Sequence, residues 1–319
     1  MGWFEHMFSS PEKRAAKAIE EEKNYGIEGE YKRRYTFTIE QKHFIAPQYY
    51  SHYRIEGFFD CGLLWNNPSA GTQCWSIEMR NLVFDRNEYT IPEQYFMFSF
   101  PYRMDIVFDS SGQLVSGGTW IDVPDRWRHR YKKSIYEQIE NKDRAGAFYD
   151  MMRSWGKKEA LDVLKSNPLT GSLGTICMLN HRLNTSSSIP PGQFGELFTS
   201  DLIKKDYFCG KIALPLKTTW LRQELEDEEE ERWIRLGGLD REKYQEEDFR
   251  KVMREITDVF NLEVPVHVEF SEVYQLERVR DNFRQMKYAE MQTSTLIKDI
   301  WAKHEHIELI EDVKGVVYG

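Results

Sequence analysis

Cysteine is scarce in this chain of 319 residues: Cys61, Cys74, Cys177 and Cys209 are all there are, and no two form a C-x-x-C pair. That excludes a disulfide-stapled scaffold and a cysteine-based zinc module. Long apolar runs are missing too, and without roughly 20 consecutive apolar residues no transmembrane helix is expected. The first ten residues, Met1 to Ser10, lack both the basic region and the continuous apolar stretch of a secretory signal. Together these absences point to a soluble protein of the reducing cytoplasm. There is also no G-x-S-x-G nucleophile elbow and no phosphate-binding P-loop. Gly171-Ser-Leu-Gly174 has two glycines without the rest of a phosphate cradle. No cofactor is implied.

What is present suffices for a folded core: 40% of the residues are hydrophobic, 14% aromatic and 30% charged, which excludes a wholly disordered chain. The net charge is -9. Its distribution is uneven, because residues 221–319 hold 15 basic and 25 acidic side chains and so carry the whole negative balance. The chain divides on this basis into an amphipathic helix over 1–24, a strand-rich region over 25–220 and an acidic, helix-rich region over 221–319. The last two form either separate units or one continuous domain.

At the N-terminus, Trp3, Phe4, Met7 and Phe8 fall on one face of a short helix, followed by a polar helix from Pro11 to about Asn24. The apolar face suits packing on the protein itself or docking on a partner. For peripheral membrane contact it lacks cationic residues before Lys13. From Tyr31 to Pro124 the pattern is that of strands. Tyr35–Ile39 alternates, Ile77–Phe84 and Tyr95–Phe100 follow, and Tyr102–Phe108 and Gln113–Ser116 flank an Asp109-Ser-Ser-Gly112 turn. Residues 60–73 form a loop rich in Gly, Asn, Pro and Ser.

Residues 126–165 carry helical spacing, with Asn167-Pro168 as a stop. Residues 184–195 read as a loop, and Pro215 marks Lys211–Trp220 as an edge strand. Beyond Asp240, a plausible N-cap, Phe249, Val252, Met253, Ile256, Val259 and Phe260 form a helical stripe. A strand over Val264–Phe270 follows. A second helix bears Leu276, Val279, Phe283 and Met286, and a third bears Leu296, Ile297, Ile300, Trp301, Ile307 and Ile310. The expected fold class is therefore α+β: an antiparallel sheet with one wet face through the first two-thirds, and a helix-rich last third.

Candidate chemistry is sparse. Arg126, Arg128 and Arg130 alternate with Trp127 and Tyr131, which suits stacking on a single-stranded nucleic acid, with Lys32-Arg33-Arg34 as a possible extension. The domain-wide positive charge that nucleic-acid binding needs is absent, so the stretch is read instead as a protein contact or a helix start with a basic face. Glu224–Glu231, acidic at all but Leu225, reads as a solvated helix or linker. His267 and Glu269 lie on one face of their strand and have the makings of an acid/base pair. Cys177 and His181, four apart, have those of a nucleophile pair on a helix, although the apolar neighbours of Cys177 favour a core position. His304 and His306 invite a metal reading, but two residues apart on a helix they point about 200° from each other. Only on a strand would they share a site, so no metal is expected.

These features favour a non-catalytic interaction or assembly protein with a protein partner. Its contact residues would be Trp3, Phe4, Met7 and Phe8 at the N-terminus and Arg126, Trp127, Arg128, Arg130 and Tyr131 in the basic stretch. The alternatives are a carrier of an apolar ligand and a hydrolase of unfamiliar type.

Overall fold

The structure is a computed structural model that describes residues 29–45, 49–86, 104–116, 167–184, 189–195, 205–208, 212–227, 229–247, 266–279, 283–297 and 301–313, with isolated positions at 146, 150, 165, 250 and 251. The described residues form one antiparallel sheet and one continuous helix. The strands are β1 (Glu30–Ile45), β2 (Tyr49–Asn67), β3 (Thr72–Arg86), β4 (Met104–Phe108), β5 (Leu114–Ser116), β6 (Phe194–Gly195), β7 (Lys205–Phe208), β8 (Ile212–Glu224), β9 (Glu230–Leu239), β10 (Val266–Arg278), β11 (Arg284–Ile297) and β12 (Trp301–Glu311). The helix α1 spans Pro168–Asn184. Strand order is β5-β4-β3-β2-β1-β12-β11-β10-β9-β8-β6, with β7 also on β8. The last strand thus pairs with the first, joining two meanders at the centre of the sheet. Among the described residues no helix is long and apolar enough to cross a membrane.

This overturns the α+β expectation. The described residues of 276–310, expected to form two helices, are the end of β10, Val279 with its N–H donating to Phe283 O (2.8 Å), and then β11 and β12. The cause lies in which residues occupy the buried face. On β10 the inward side chains are Val266, Val268, Phe270, Glu272, Tyr274 and Leu276. The period of two continues through a fully buried carboxylate, which ends the apolar alternation at Phe270. On β12 the inward set runs Trp301, Lys303, Glu305, Ile307, Leu309, and the two charged members leave apolar residues at spacings that imitate a helix.

The core lies between the inner face of the sheet and α1. Tyr35, Phe37 and Ile39 of β1, Ile55 and Phe59 of β2, Trp75 and Ile77 of β3, Trp233 of β9, Tyr274 of β10 and Leu309 of β12 are all buried there. Tyr31 stacks on Phe283 (centroids 4.9 Å apart), and Phe283 lies 6.0 Å from the Trp75 ring. Residues 172–180 of α1 are buried without interruption, so the helix is enclosed on every side and has no polar stripe to mark it. Its start is set locally. Asn167 Oδ1 accepts from the N–H groups of Leu169 (2.8 Å) and Thr170 (3.3 Å), with Pro168 in the first turn. Asn167-Pro168, expected to stop a helix, begins one. Gly174 meets Gly112 of the β4–β5 turn so closely that a Cβ on either would collide with the other's carbonyl oxygen.

Other expectations hold, shrink or fail. The Asp109–Gly112 turn joins β4 to β5, with Gly112 at φ 76°. The loop expected over 60–73 contracts to a turn at 68–71. Pro215 does not make an edge strand: β8 pairs with β9 on one side and with the short strands β6 and β7 on the other, Pro215 lying opposite Lys205 of β7. Of the helical stretch over 126–165, only 146, 150 and 165 are described, and each is helical. Asp240, expected to cap a helix, instead opens a turn over 241–243, its Oδ1 accepting from Glu242 N–H (3.2 Å); 246, 247, 250 and 251 are helical, and every residue of the stripe from Phe249 to Phe260 lies outside the described residues. So do the N-terminal helices, the Tyr95–Phe100 strand and residues 126–133.

Candidate functional site

Strand register lays the outward side chains of the central sheet in rows. One row reads His52, Lys42, His304, Ser294, Glu269 across β2, β1, β12, β11 and β10. The next reads Arg54, Glu40, His306, Gln292, Ser271, Leu236, reaching β9. On either side lie a row containing Phe44, Ala302, Leu296 and His267, and a row containing Thr38, Glu308, Glu290 and Val273. Over the two middle rows opens a groove of about 630 Å³, lined by Glu40, Lys42, Leu236, Gln292, His304 and His306 among others. Phe44, Leu236, Leu296 and Ile310, each at least 40% exposed, stand on the same outward face.

Its polar side chains are held in a chain of contacts. Glu40 Oε1 accepts from His52 Nε2 (3.0 Å) and lies 3.2 Å from Lys42 Nζ. Burial pushes the Glu40 carboxyl up, but the hydrogen bonds from His52 and Lys42 outweigh it and bring the group below its ordinary value. Glu290 Oε1 accepts from Gln292 Nε2 (2.6 Å) and lies 3.1 Å from His306 Nε2, while Glu290 Oε2 accepts from Tyr288 O–H (3.0 Å). Here too burial raises the carboxyl and the hydrogen bonds from Gln292, Tyr288 and His306 carry it below normal. Ser294 Oγ and His304 Nδ1 are 3.0 Å apart. This outward face therefore holds ionised carboxylates beside imidazoles, Glu40 at the groove and Glu290 next to it, oriented by neighbours on adjacent strands.

The positions singled out in the sequence fare differently. His267 and Glu269 lie on one face of β10, as expected, and both are exposed, with Glu269 at the wall of the groove. Cys177 is in the core, where burial pushes its thiol far above the ordinary value, so no thiolate nucleophile forms there. Arg33 and Arg34 are held in ion pairs, and the basic stretch they were expected to extend lies outside the described residues. Arg33 pairs with Glu311 (2.6 Å) and Glu277 (3.5 Å), and Arg34 with Asp60 (2.7 Å). The acidic run is a β8–β9 hairpin rather than a free helix: its last two members engage Lys287, Gln275, Arg222 and Arg284. Trp3, Phe4, Met7, Phe8, Arg126, Trp127, Arg128, Arg130 and Tyr131 lie outside the described residues.

His304 and His306 require a correction. They stand on a strand, on the same outward face, which removes the ground on which a shared site was set aside. The signal was available, since His-x-His is a same-face pair wherever the segment is extended. Sequence reasoning missed Glu40, Glu290 and Ser294 altogether, because only the register of β1, β11 and β12 brings them to the histidines. It also missed a buried pair on the opposite face, where Arg235 meets Glu272 (3.6 Å) and donates from Nε to Thr218 Oγ1 (2.9 Å).

Neither a protein-family description nor a characterised protein matches the sequence. Among solved structures, a lipovitellin described under the words lipid–protein interactions aligns with 90% of this chain at 9% identity and a TM-score of 0.43. This chain spans 25% of that one. A superposition this loose leaves the fold resting on the strand pairing alone.

Proposed function

We propose that the chain is a non-catalytic binding module that docks a protein partner on the outward face of its central strands. The observation that carries this reading is the combination on one face of an open groove of about 630 Å³ with the exposed apolar side chains of Phe44, Leu236, Leu296 and Ile310. Apolar side chains set among oriented polar groups are the composition of a protein interface, with its apolar centre and polar rim. Cys61, Cys74 and Cys177 are free and buried, which supports work in a reducing cytoplasm.

The test is site-specific photocrosslinking. A photoreactive side chain placed at Gln292 or Ser294 in the groove is expected to capture one partner of constant mass. The same group at Glu226, on the exposed tip of the β8–β9 hairpin, captures none. Leu236→Asp or Leu296→Asp is expected to lower the groove yield at least tenfold. Equal capture from groove and tip, or capture indifferent to both aspartates, contradicts the reading.

A further inference from the structure

We propose that His304 and His306 form a two-imidazole chelate for a divalent transition-metal cation of the copper, nickel or zinc class. Three observations converge. First, both residues are on β12 with one residue between them, and pairing with Lys42 and Glu40 of β1 and with Ser294 and Gln292 of β11 fixes both on the outward face. Strand rise places their Cα atoms about 6.7 Å apart, a span that two imidazoles bridge through one ion with metal–nitrogen bonds of about 2 Å.

Second, each ring already has one nitrogen engaged by a neighbouring strand. His304 Nδ1 lies 3.0 Å from Ser294 Oγ, and His306 Nε2 lies 3.1 Å from Glu290 Oε1. With those nitrogens donating, the lone pairs are on His304 Nε2 and His306 Nδ1. A carboxylate behind a ligating imidazole fixes its tautomer and orientation and is the usual support of a histidine metal ligand, whereas the Ser294 hydroxyl positions the His304 ring and accepts from Nδ1 in the metal-bound form. Third, the rings border an open groove, so an ion and its remaining ligands have access.

The chelate is an open one. Among the described residues no three His, Cys, Asp or Glu side chains are gathered around a point that could hold an ion. The protein therefore supplies two nitrogens and leaves the other positions to water or to a donor group of a bound molecule. Two imidazoles favour copper over nickel and zinc, following the general order of affinities for nitrogen ligands. The site does not depend on a protein docking in the groove.

The test is titration of the full chain with copper(II) chloride, followed by calorimetry and by electron paramagnetic resonance. The expected result is one equivalent bound with nitrogen hyperfine structure from two imidazoles. His304→Gln and His306→Gln each lower the affinity at least tenfold, and Glu290→Gln lowers it roughly tenfold through loss of the orienting carboxylate. His267→Gln, an exposed histidine on β10, leaves the affinity unchanged. Unaltered melting temperatures of the glutamine variants show that folding is intact. If copper binds equally well to the His304→Gln/His306→Gln double variant, or if the spectrum lacks two-imidazole coordination, the proposal is wrong. Loss of metal with intact photocrosslinking, or the reverse, separates this site from the protein-docking reading.

Discussion

Replacing Glu231 by alanine is expected to destabilise the protein by roughly 3–5 kcal/mol, the cost of stranding buried charges whose partner has been removed. Glu231 Oε2 accepts from Arg222 Nε at 3.1 Å, and Oε1 accepts from Arg284 Nε. The side chains of Glu231, Arg222 and Arg284 are 5%, 15% and 7% exposed, so solvent does little to relieve either guanidinium once the carboxylate is gone. Four residues before β9 begins, Glu226 sits at the exposed tip of the same hairpin, and Glu226→Ala is expected to stay within about 0.5 kcal/mol. Urea unfolding of the two variants measures the contrast directly. Similar midpoints would mean that the acidic run is a uniform solvated segment. The comparison also separates attraction from penalty: replacing Glu231, Arg222 and Arg284 together by apolar residues of similar size recovers much of the loss if the stranded charges are its source.

The second large effect is expected at Asn180. Its side chain joins α1 to the first residue of β11 by two hydrogen bonds. Asn180 Nδ2 donates to Arg284 O at 2.9 Å, and Arg284 N–H donates to Asn180 Oδ1 at 2.6 Å. The amide thus supplies one rung of pairing between a helix and a strand end, at a site that is 1% exposed. Asn180→Ala leaves a buried backbone donor and a buried backbone acceptor without partners, at about 1–3 kcal/mol each, so a total of about 2–6 kcal/mol follows. Asn180→Asp keeps an acceptor but loses the donor and places a carboxylate in the core, so it is expected to be at least as damaging. A loss below 1 kcal/mol in Asn180→Ala would show that this clamp does not hold the helix to the sheet.

Both effects depend on buried polar side chains, and the same side chains explain what could be read from the sequence. The β4–β5 hairpin was legible because its turn chemistry is local: Asp109 Oδ1 accepts from Ser111 N–H (2.9 Å) and Gln113 N–H (3.0 Å), and Gly112 takes the positive φ. Tyr35–Ile39 was legible because every inward residue is apolar and every outward one is threonine. Where the inner face carries charge, alternation disappears from view. Glu272 interrupts β10, so only its start read as a strand, and Lys303 with Glu305 interrupts β12, which read as a helix throughout. The helix α1 was hidden for the opposite reason, being buried on all sides and punctuated by Gly171 and Gly174. The groove was the least legible feature, since its parts come from β1, β9, β10, β11 and β12 and meet through register alone.

The extended course of β12 puts His304, His306 and the groove on one outward face, so the length of this segment tests the account most directly. Spin labels at Ala302→Cys and Ile310→Cys, with Cys209→Ser, report the distance across eight residues by pulsed dipolar spectroscopy. A strand rising about 3.3 Å per residue predicts roughly 26 Å. A helix rising about 1.5 Å per residue would bring the labels to roughly 12 Å, and that result would contradict the sheet, the groove and the histidine pair together.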